Sequence, residues 1–276
     1  MDTFMRNLAN EPDEEGFMPA MKVYLLEKNE EEGVRPMVII CPGGGYSCVV
    51  ENWEGERIAM AYAAAGFHTA VVDYKVAPRD YRQPLRDAAA AVRTCRENAG
   101  IWQVDPAKII ICGFSAGGHL AASVSTLWDS AEFFTPEEIG SRICRPDASI
   151  LCYPVITSGD KAHKDSFVKL IGSDDEELPE WREMSLEYQV DDQTPPAFLW
   201  HTVEDSVVPV ENSMYYATAL REHHVPFELH IYPRGDHGLS LVTQGLSRTK
   251  PMFGRDYGWM KLSIDWINEL FGLCQA

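Results

Sequence analysis

Lys108-Ile109-Ile110-Ile111-Cys112-Gly113-Phe114-Ser115-Ala116-Gly117-Gly118-His119-Leu120 is the stretch that decides the fold. Residues 108–112 form an apolar run too short for a helix and closed by glycine, which reads as a strand buried on both faces. The small residues after it force a sharp turn, and 118–127 reads as an apolar helix. Working outward, strands are expected at 37–41, 68–73, 149–153, 197–201 and 227–232. Helices are expected between and beyond them at 54–65, 84–98, 210–223 and 257–271. Such alternation predicts an α/β fold, a mostly parallel sheet with helices on both faces. In 227–232, Phe227, Leu229 and Ile231 share one face while Glu228, His230 and Tyr232 share the other. An edge hairpin is expected in the first 36 residues, around 22–26. No repeat or low-complexity linker interrupts the pattern, so residues 1–276 read as a single domain.

Composition narrows the class. The 276 residues are 45% hydrophobic and 24% charged, ordinary values for a globular chain. Lys and Arg number 24 against 42 Asp and Glu, a formal net charge of −18. That surface repels phosphate backbones and anionic lipid, so neither nucleic acid nor a membrane surface is expected as a partner. The longest apolar run, 58–65, falls far short of the ~20 residues that span a bilayer. The N-terminus has no basic start and no apolar core, so it does not read as a secretory signal. Seven cysteines contain no Cys-x-x-Cys pair, and Cys41, Cys112 and Cys152 end strand-like runs as small hydrophobes. A reducing cytoplasm is the expected location. The sequence leaves homo-oligomerisation open.

Gly113-Phe114-Ser115-Ala116-Gly117 fits the Gly-x-Ser-x-Gly pattern of a nucleophile elbow. Glycines two residues to either side let strand and helix approach while Ser115 projects above the sheet. A serine hydroxyl needs a base, and the base needs an orienting carboxylate. With this elbow the chain order is Ser, then Asp or Glu, then His. Among eight histidines, His237 sits in the Gly235-Asp236-His237-Gly238 loop after the 227–232 strand and is the candidate base. His119 points away from the turn and reads as packing, whereas His201 ends a strand and is expected to line the site. His223 and His224 read as solvated at a helix end, and His68, His163 and His230 lack supporting context. Asp205, in the loop after 197–201, is the favoured acid over its neighbours Glu204 and Asp236.

Acyl chemistry through a tetrahedral intermediate also needs an oxyanion hole. The Ala116 N–H supplies one donor, and Gly44 and Gly45 in Pro42-Gly43-Gly44-Gly45-Tyr46 are expected to supply the other side. No Gly-Lys-Ser/Thr follows these glycines, which excludes a phosphate loop, and no ligand spacing points to a metal or another cofactor. Tyr46, Trp53, Trp128 and Trp181 are candidate pocket walls. The charged, aromatic stretches 129–146 and 157–194 are long for connectors and are expected as substrate-side insertions.

Two groups of motifs carry a family resemblance. Val72-Asp73-Tyr74-Lys75-Val76-Ala77-Pro78, Pro84-Leu85-Arg86-Asp87-Ala88 and residues 113–122 resemble hormone-sensitive-lipase-like esterases. Residues 42–46 and 195–241 are similar to the bacterial acetyl-xylan and feruloyl esterase-like group of α/β-hydrolases. The latter stretch includes Trp200-His201-Thr202-x-x-Asp205-x-x-Val208-Pro209 and Tyr232-Pro233-Arg234-Gly235-Asp236-His237-Gly238. Pro42 stands where the lipase-like branch has His, which favours the carbohydrate-esterase side. The resemblance implies an eight-stranded sheet and a serine esterase that deacetylates a small neutral ester, such as an acetylated sugar or xylo-oligosaccharide. The rivals are an exopeptidase or arylformamidase on the same fold, and a non-catalytic ligand-binding module.

Overall fold

Eight strands form one sheet: β1 (Asp2–Asn7), β2 (Ala20–Leu25), β3 (Arg35–Cys41), β4 (His68–Asp73), β5 (Val104–Phe114), β6 (Ala148–Cys152), β7 (Ala197–Thr202) and β8 (Phe227–Tyr232). Their spatial order is β1-β2-β4-β3-β5-β6-β7-β8, with β1 and β2 antiparallel to their neighbours and the rest parallel. The computed structural model describes residues 1–27, 33–241 and 258–273. Among them lie helices α1 (Arg57–Ala64), α2 (Gln83–Glu97), α3 (Ala99–Trp102), α4 (Ala116–Thr126), α5 (Pro136–Ser141), α6 (Lys164–Ile171), α7 (Pro179–Glu183), α8 (Glu211–Glu222) and α9 (Trp259–Leu270). This is the α/β-hydrolase arrangement.

The central strands are apolar throughout because helices cover both of their faces. Met37, Ile39, Ile109, Ile111, Leu151 and Leu199 pack on one side with Leu85 and Val92 of α2 and Leu120 and Val124 of α4. Val38, Ile40, Ile110, Ile150, Phe198 and Trp200 pack on the other with Ile58 and Tyr62 of α1 and Trp259 of α9. The expected edge hairpin is β1 paired antiparallel with β2, but the bounds of β1 escape the sequence reading. That strand is mostly exposed at the sheet edge, so its side chains carry no alternation, and Phe4 anchors it by an edge-on contact with Trp102 at 5.7 Å.

Two element starts differ from expectation. The helix expected from 54 begins instead with a π-helical turn, Glu51–Glu56, that runs into α1. The wider turn swings Glu54 inward, where it is 4% exposed. The helix expected over 257–271 is observed as α9; Tyr257 lies outside the described residues.

The two insertions separate. Residues 129–146 leave the far end of α4 and pack along α2, away from the expected substrate side. Arg96 of α2 donates to the carbonyls of Arg142, Ile143 and Arg145, and Arg93 pairs with Glu138 at 2.7 Å. Residues 157–194 return to the C-terminal ends of the strands, where the Ile156 and Thr157 amides donate to Asn212 of α8. Among the described residues no helix is long and apolar enough to cross a membrane.

Candidate active site

Strand β5 delivers Ser115 to the top of the sheet. Ser115 holds φ 55° and ψ −121°, a region that non-glycine residues rarely occupy, at a cost of roughly 1–3 kcal/mol. The surroundings enforce it: the Ser115 amide donates to the Cys152 carbonyl at 3.0 Å, and its carbonyl accepts from Val155 and His119. Its hydroxyl thus sits beside the first turn of α4, where the helix dipole and unpaired amides favour negative charge.

His237 lies 2.7 Å from Ser115 Oγ through Nε2 and 2.7 Å from Asp205 Oδ2 through Nδ1. A carboxylate only accepts, so Nδ1 carries the proton and Nε2 accepts from the serine hydroxyl. Asp205 is held on every side. Its Oδ1 accepts from the Val207 and Val208 amides at 3.0 and 2.8 Å, and His201 Nε2 stands 3.3 Å from Oδ2. Burial alone would push its pKa up, but the hydrogen bonds from His201 and His237 hold the carboxyl well below the usual range.

The competing carboxylates have other work. Glu204 accepts from the Gly235 amide at 3.3 Å, and Asp236 accepts from Ser206 Oγ at 2.7 Å and from its neighbour's amide. Both brace the β7 loop against the histidine loop. The same loop is tied by Thr202 Oγ1, which donates to the Gly235 carbonyl at 2.8 Å.

The glycine loop lies against Ser115: a Cβ on Gly43 would stand 3.0 Å from the Ser115 Cβ. The Gly43 carbonyl accepts from Val50, and the Gly44 carbonyl accepts from Ser47 and Cys48. In a trans peptide the N–H opposes the preceding carbonyl, so the Gly44 and Gly45 amides point away from that turn. Among the described residues neither they nor the Ala116 amide has an intramolecular acceptor. Gly44 reaches φ 135°, and a side chain there would collide with the Cys48 carbonyl at 1.9 Å, so this turn requires glycine.

Four expected lining residues prove to be placed elsewhere. Tyr46 is buried, and its hydroxyl donates to His119 Nδ1 at 2.8 Å. His119 Nε2 in turn donates to the Met184 carbonyl, and burial pushes its pKa down to about 4. His201 is fully buried behind Asp205, donating to the Val208 carbonyl and accepting from Ser213. Trp181 is buried and stacks on Phe167 at 5.3 Å, one layer behind the site. Trp128 lies past the far end of α4, roughly 18 Å along the helix from Ser115, under Arg142 and Arg145. Aromatic side chains alone do not reveal which end of a helix they leave. Trp53 does stand at the site, donating to the Gly238 carbonyl at 2.9 Å beside His237.

Three neighbours were not singled out in the sequence. Tyr153 packs edge-on against His237 at 5.0 Å, and its place at the end of a parallel strand is a legible signal. Glu54 accepts from Tyr153 and the Gly43 amide, with no local pattern to announce it. His163, in the 157–194 insertion, accepts from or donates to Ser166 Oγ at 2.8 Å. Burial and the nearby His237 push its pKa down.

A hydroxyl bonded to a neutral imidazole, itself oriented by a carboxylate, can lose its proton while attacking an electrophile. The unpaired amides beside it suit the oxyanion that results.

Comparisons with known proteins agree with this architecture. The BD-FAE family profile matches residues 21–220. The chain is 42% identical over 235 residues to the endo-1,4-beta-xylanase B of Butyrivibrio fibrisolvens, covering 82% of this chain and 35% of that protein. It is 33% identical over 210 residues to the acetylxylan esterase of Xylanibacter ruminicola, covering 75% and 41%. The chain therefore spans well under half the length of these curated relatives. In structure it is similar to the acetyl ester-xyloside bifunctional hydrolase of Caldicellulosiruptor lactoaceticus, with a TM-score of 0.84 and 36% identity over 99% of this chain and 97% of that one. With the profile spanning most of its sheet and both of these curated relatives above 30% identity, the chain belongs to the BD-FAE family.

Proposed function

We propose that the chain is a serine carboxylic-ester hydrolase acting through an acyl-enzyme on small neutral acetyl esters, such as acetylated sugars or xylo-oligosaccharides. The observation that carries the reading is the continuous hydrogen-bond chain from Ser115 through His237 to Asp205, 2.7 Å at each link. His237 takes the Ser115 proton as Oγ attacks the ester carbonyl, and Asp205 stabilises the imidazolium. The Ala116, Gly44 and Gly45 amides receive the oxyanion, each such donor being worth about 10²–10³ in rate. His237 then protonates the leaving alcohol, and water, deprotonated by the same imidazole, releases the acid.

The names of the relatives support a xylan-derived acetyl ester, and the net charge of −18 supports an uncharged one. The free cysteines among the described residues support work in a reducing compartment such as the cytoplasm. The test is direct: purified protein turns over p-nitrophenyl acetate and acetylated xylo-oligosaccharides, and a fluorophosphonate adds its mass to the Ser115 peptide while stopping turnover. Background-level hydrolysis with no adduct sinks the reading.

His163 bears on the alcohol side. Its Nδ1 is engaged by Ser166, and Ser166 Oγ stands 3.8 Å from where a Cβ on Gly45 would lie. That nearness to the glycine loop supports a hydrogen bond from the ring to a sugar hydroxyl. His163→Ala is expected to raise KM for an acetylated xylo-oligosaccharide about fivefold, the equivalent of one hydrogen bond, with p-nitrophenyl acetate kinetics unchanged. Equal KM values for both proteins on the sugar ester would remove His163 from the pocket.

A further inference from the structure

Glu54 is an expensive residue for its position. It is 4% exposed in the π-helical turn ahead of α1, and burying a carboxylate costs several kcal/mol unless its partners compensate. Stability alone would favour a neutral side chain of similar size.

The partners define its state. Oε2 accepts from the Gly43 amide at 2.9 Å, which can only donate. Oε1 lies 2.7 Å from the Tyr153 hydroxyl, and that hydroxyl already accepts from the Ser240 amide at 3.0 Å. Tyr153 in turn donates its proton to Glu54. Both contacts are donors that satisfy a carboxylate, whereas a protonated Glu54 would set its own proton against one of them. Burial pushes the Glu54 pKa up on balance, and the hydroxyl, the amide and His237 offset that push only in part.

Those contacts join the three sides of the site. Gly43 opens the glycine loop, Tyr153 packs on the His237 ring, and Ser240 belongs to the histidine loop. Ser240 Oγ also donates to the Trp53 carbonyl at 2.6 Å, one residue before Glu54. Around Glu54, Tyr74, Tyr153 and Cys152 are buried and pushed up, so they stay neutral. The charged or titratable groups facing His237 are Asp205, Glu54, Tyr153 and His163.

Resting on the hydrolase reading above, we propose that Glu54 is a positioning residue whose buried carboxylate fixes the glycine loop beside Ser115 and supplies a second negative charge that favours protonated His237 during acyl transfer.

Glu54→Gln removes the charge while its amide oxygen can still accept from Gly43. Its NH₂ then faces Tyr153, so that one bond is lost too, and the acid limb is the readout of the charge. The kcat for p-nitrophenyl acetate is expected to fall about tenfold at unchanged KM, and the midpoint of the acid limb of kcat/KM to move down by about half a pH unit. The sign follows from electrostatics: removing a nearby negative charge disfavours the protonated imidazole, so protonation needs lower pH. A purely structural role would leave that midpoint in place. Wild-type kcat and an unmoved acid limb in Glu54→Gln, beside an active and fluorophosphonate-labelled wild type, would overturn this inference alone. An inactive, unlabelled wild type would overturn the hydrolase reading and this inference with it. If Glu54→Gln does not fold, Glu54→Asp carries the test. Its charge remains but no longer reaches Gly43, so kcat falls while the acid limb stays, and wild-type kcat would overturn the anchoring role.

Discussion

Asp205→Asn is expected to lower kcat about 10⁴-fold with little change in KM. The size follows from hydrogen-bond polarity. Two donors, the Val207 and Val208 amides, converge on Oδ1, so the asparagine oxygen must occupy that position. Its NH₂ group then faces His237 Nδ1, where an acceptor stood before. The imidazole must change tautomer to avoid two opposed donors, which places a proton on Nε2. That nitrogen then donates to Ser115 and no longer takes its proton. Fold and substrate contacts persist, so the loss falls on kcat. Steady-state kinetics on p-nitrophenyl acetate check this, with circular dichroism as the fold control; a rate within tenfold of wild type would refute the assigned acid.

The second large effect is on stability. Gly117→Ala is expected to destabilise the protein by about 3 kcal/mol and to reduce kcat sharply. An added Cβ would lie 2.1 Å from the Cys41 carbonyl oxygen and 2.3 Å from that of Pro42. Both are backbone atoms at the end of β3, so no side chain can rotate away. Relief requires β3 to shift, and the glycine loop that continues from it moves off Ser115. Urea unfolding measures the first consequence and kcat the second. Gly140→Ala is the matched control, because nothing lies within 4 Å of its added methyl in α5. That substitution should be neutral or slightly stabilising. Equal unfolding midpoints for the two variants would show that the elbow yields more easily than its contacts imply.

What could be read from the sequence depended on how local the cause was. The strand before Ser115 and the glycines around it are adjacent in the chain, so the elbow was legible. The order of Ser115, Asp205 and His237 was legible because chain order and sheet order are linked in such folds. Glu54 was hidden because Glu51, Glu54 and Glu56 look like a solvated acidic cluster at a helix start, and only the π-helical turn sends the middle one inward. His201 was read as a lining residue because it ends a strand beside the site. In fact the chain curls behind it, and its ring supports Asp205 from below. Trp128 and Trp181 were misplaced since burial, rather than proximity to substrate, explains both aromatics. The bounds of β1, the outer strand of the expected hairpin, were not legible because an exposed edge imposes no hydrophobic pattern.

The position of β8 has a consequence for how the protein acquires its activity. Among the described residues this strand pairs only with β7, at the border of the sheet, yet the loop that carries His237 hangs from it. The glycine loop, Ser115 and Asp205 all precede β8 in the chain. A nascent polypeptide can therefore assemble the centre of the sheet while still lacking its base. Competence requires that the border strand has been made and has docked. Borders are also where local opening costs least. On the proposed function, hydrolysis is expected to report on the integrity of one sheet margin and to fade while most of the interior is still folded.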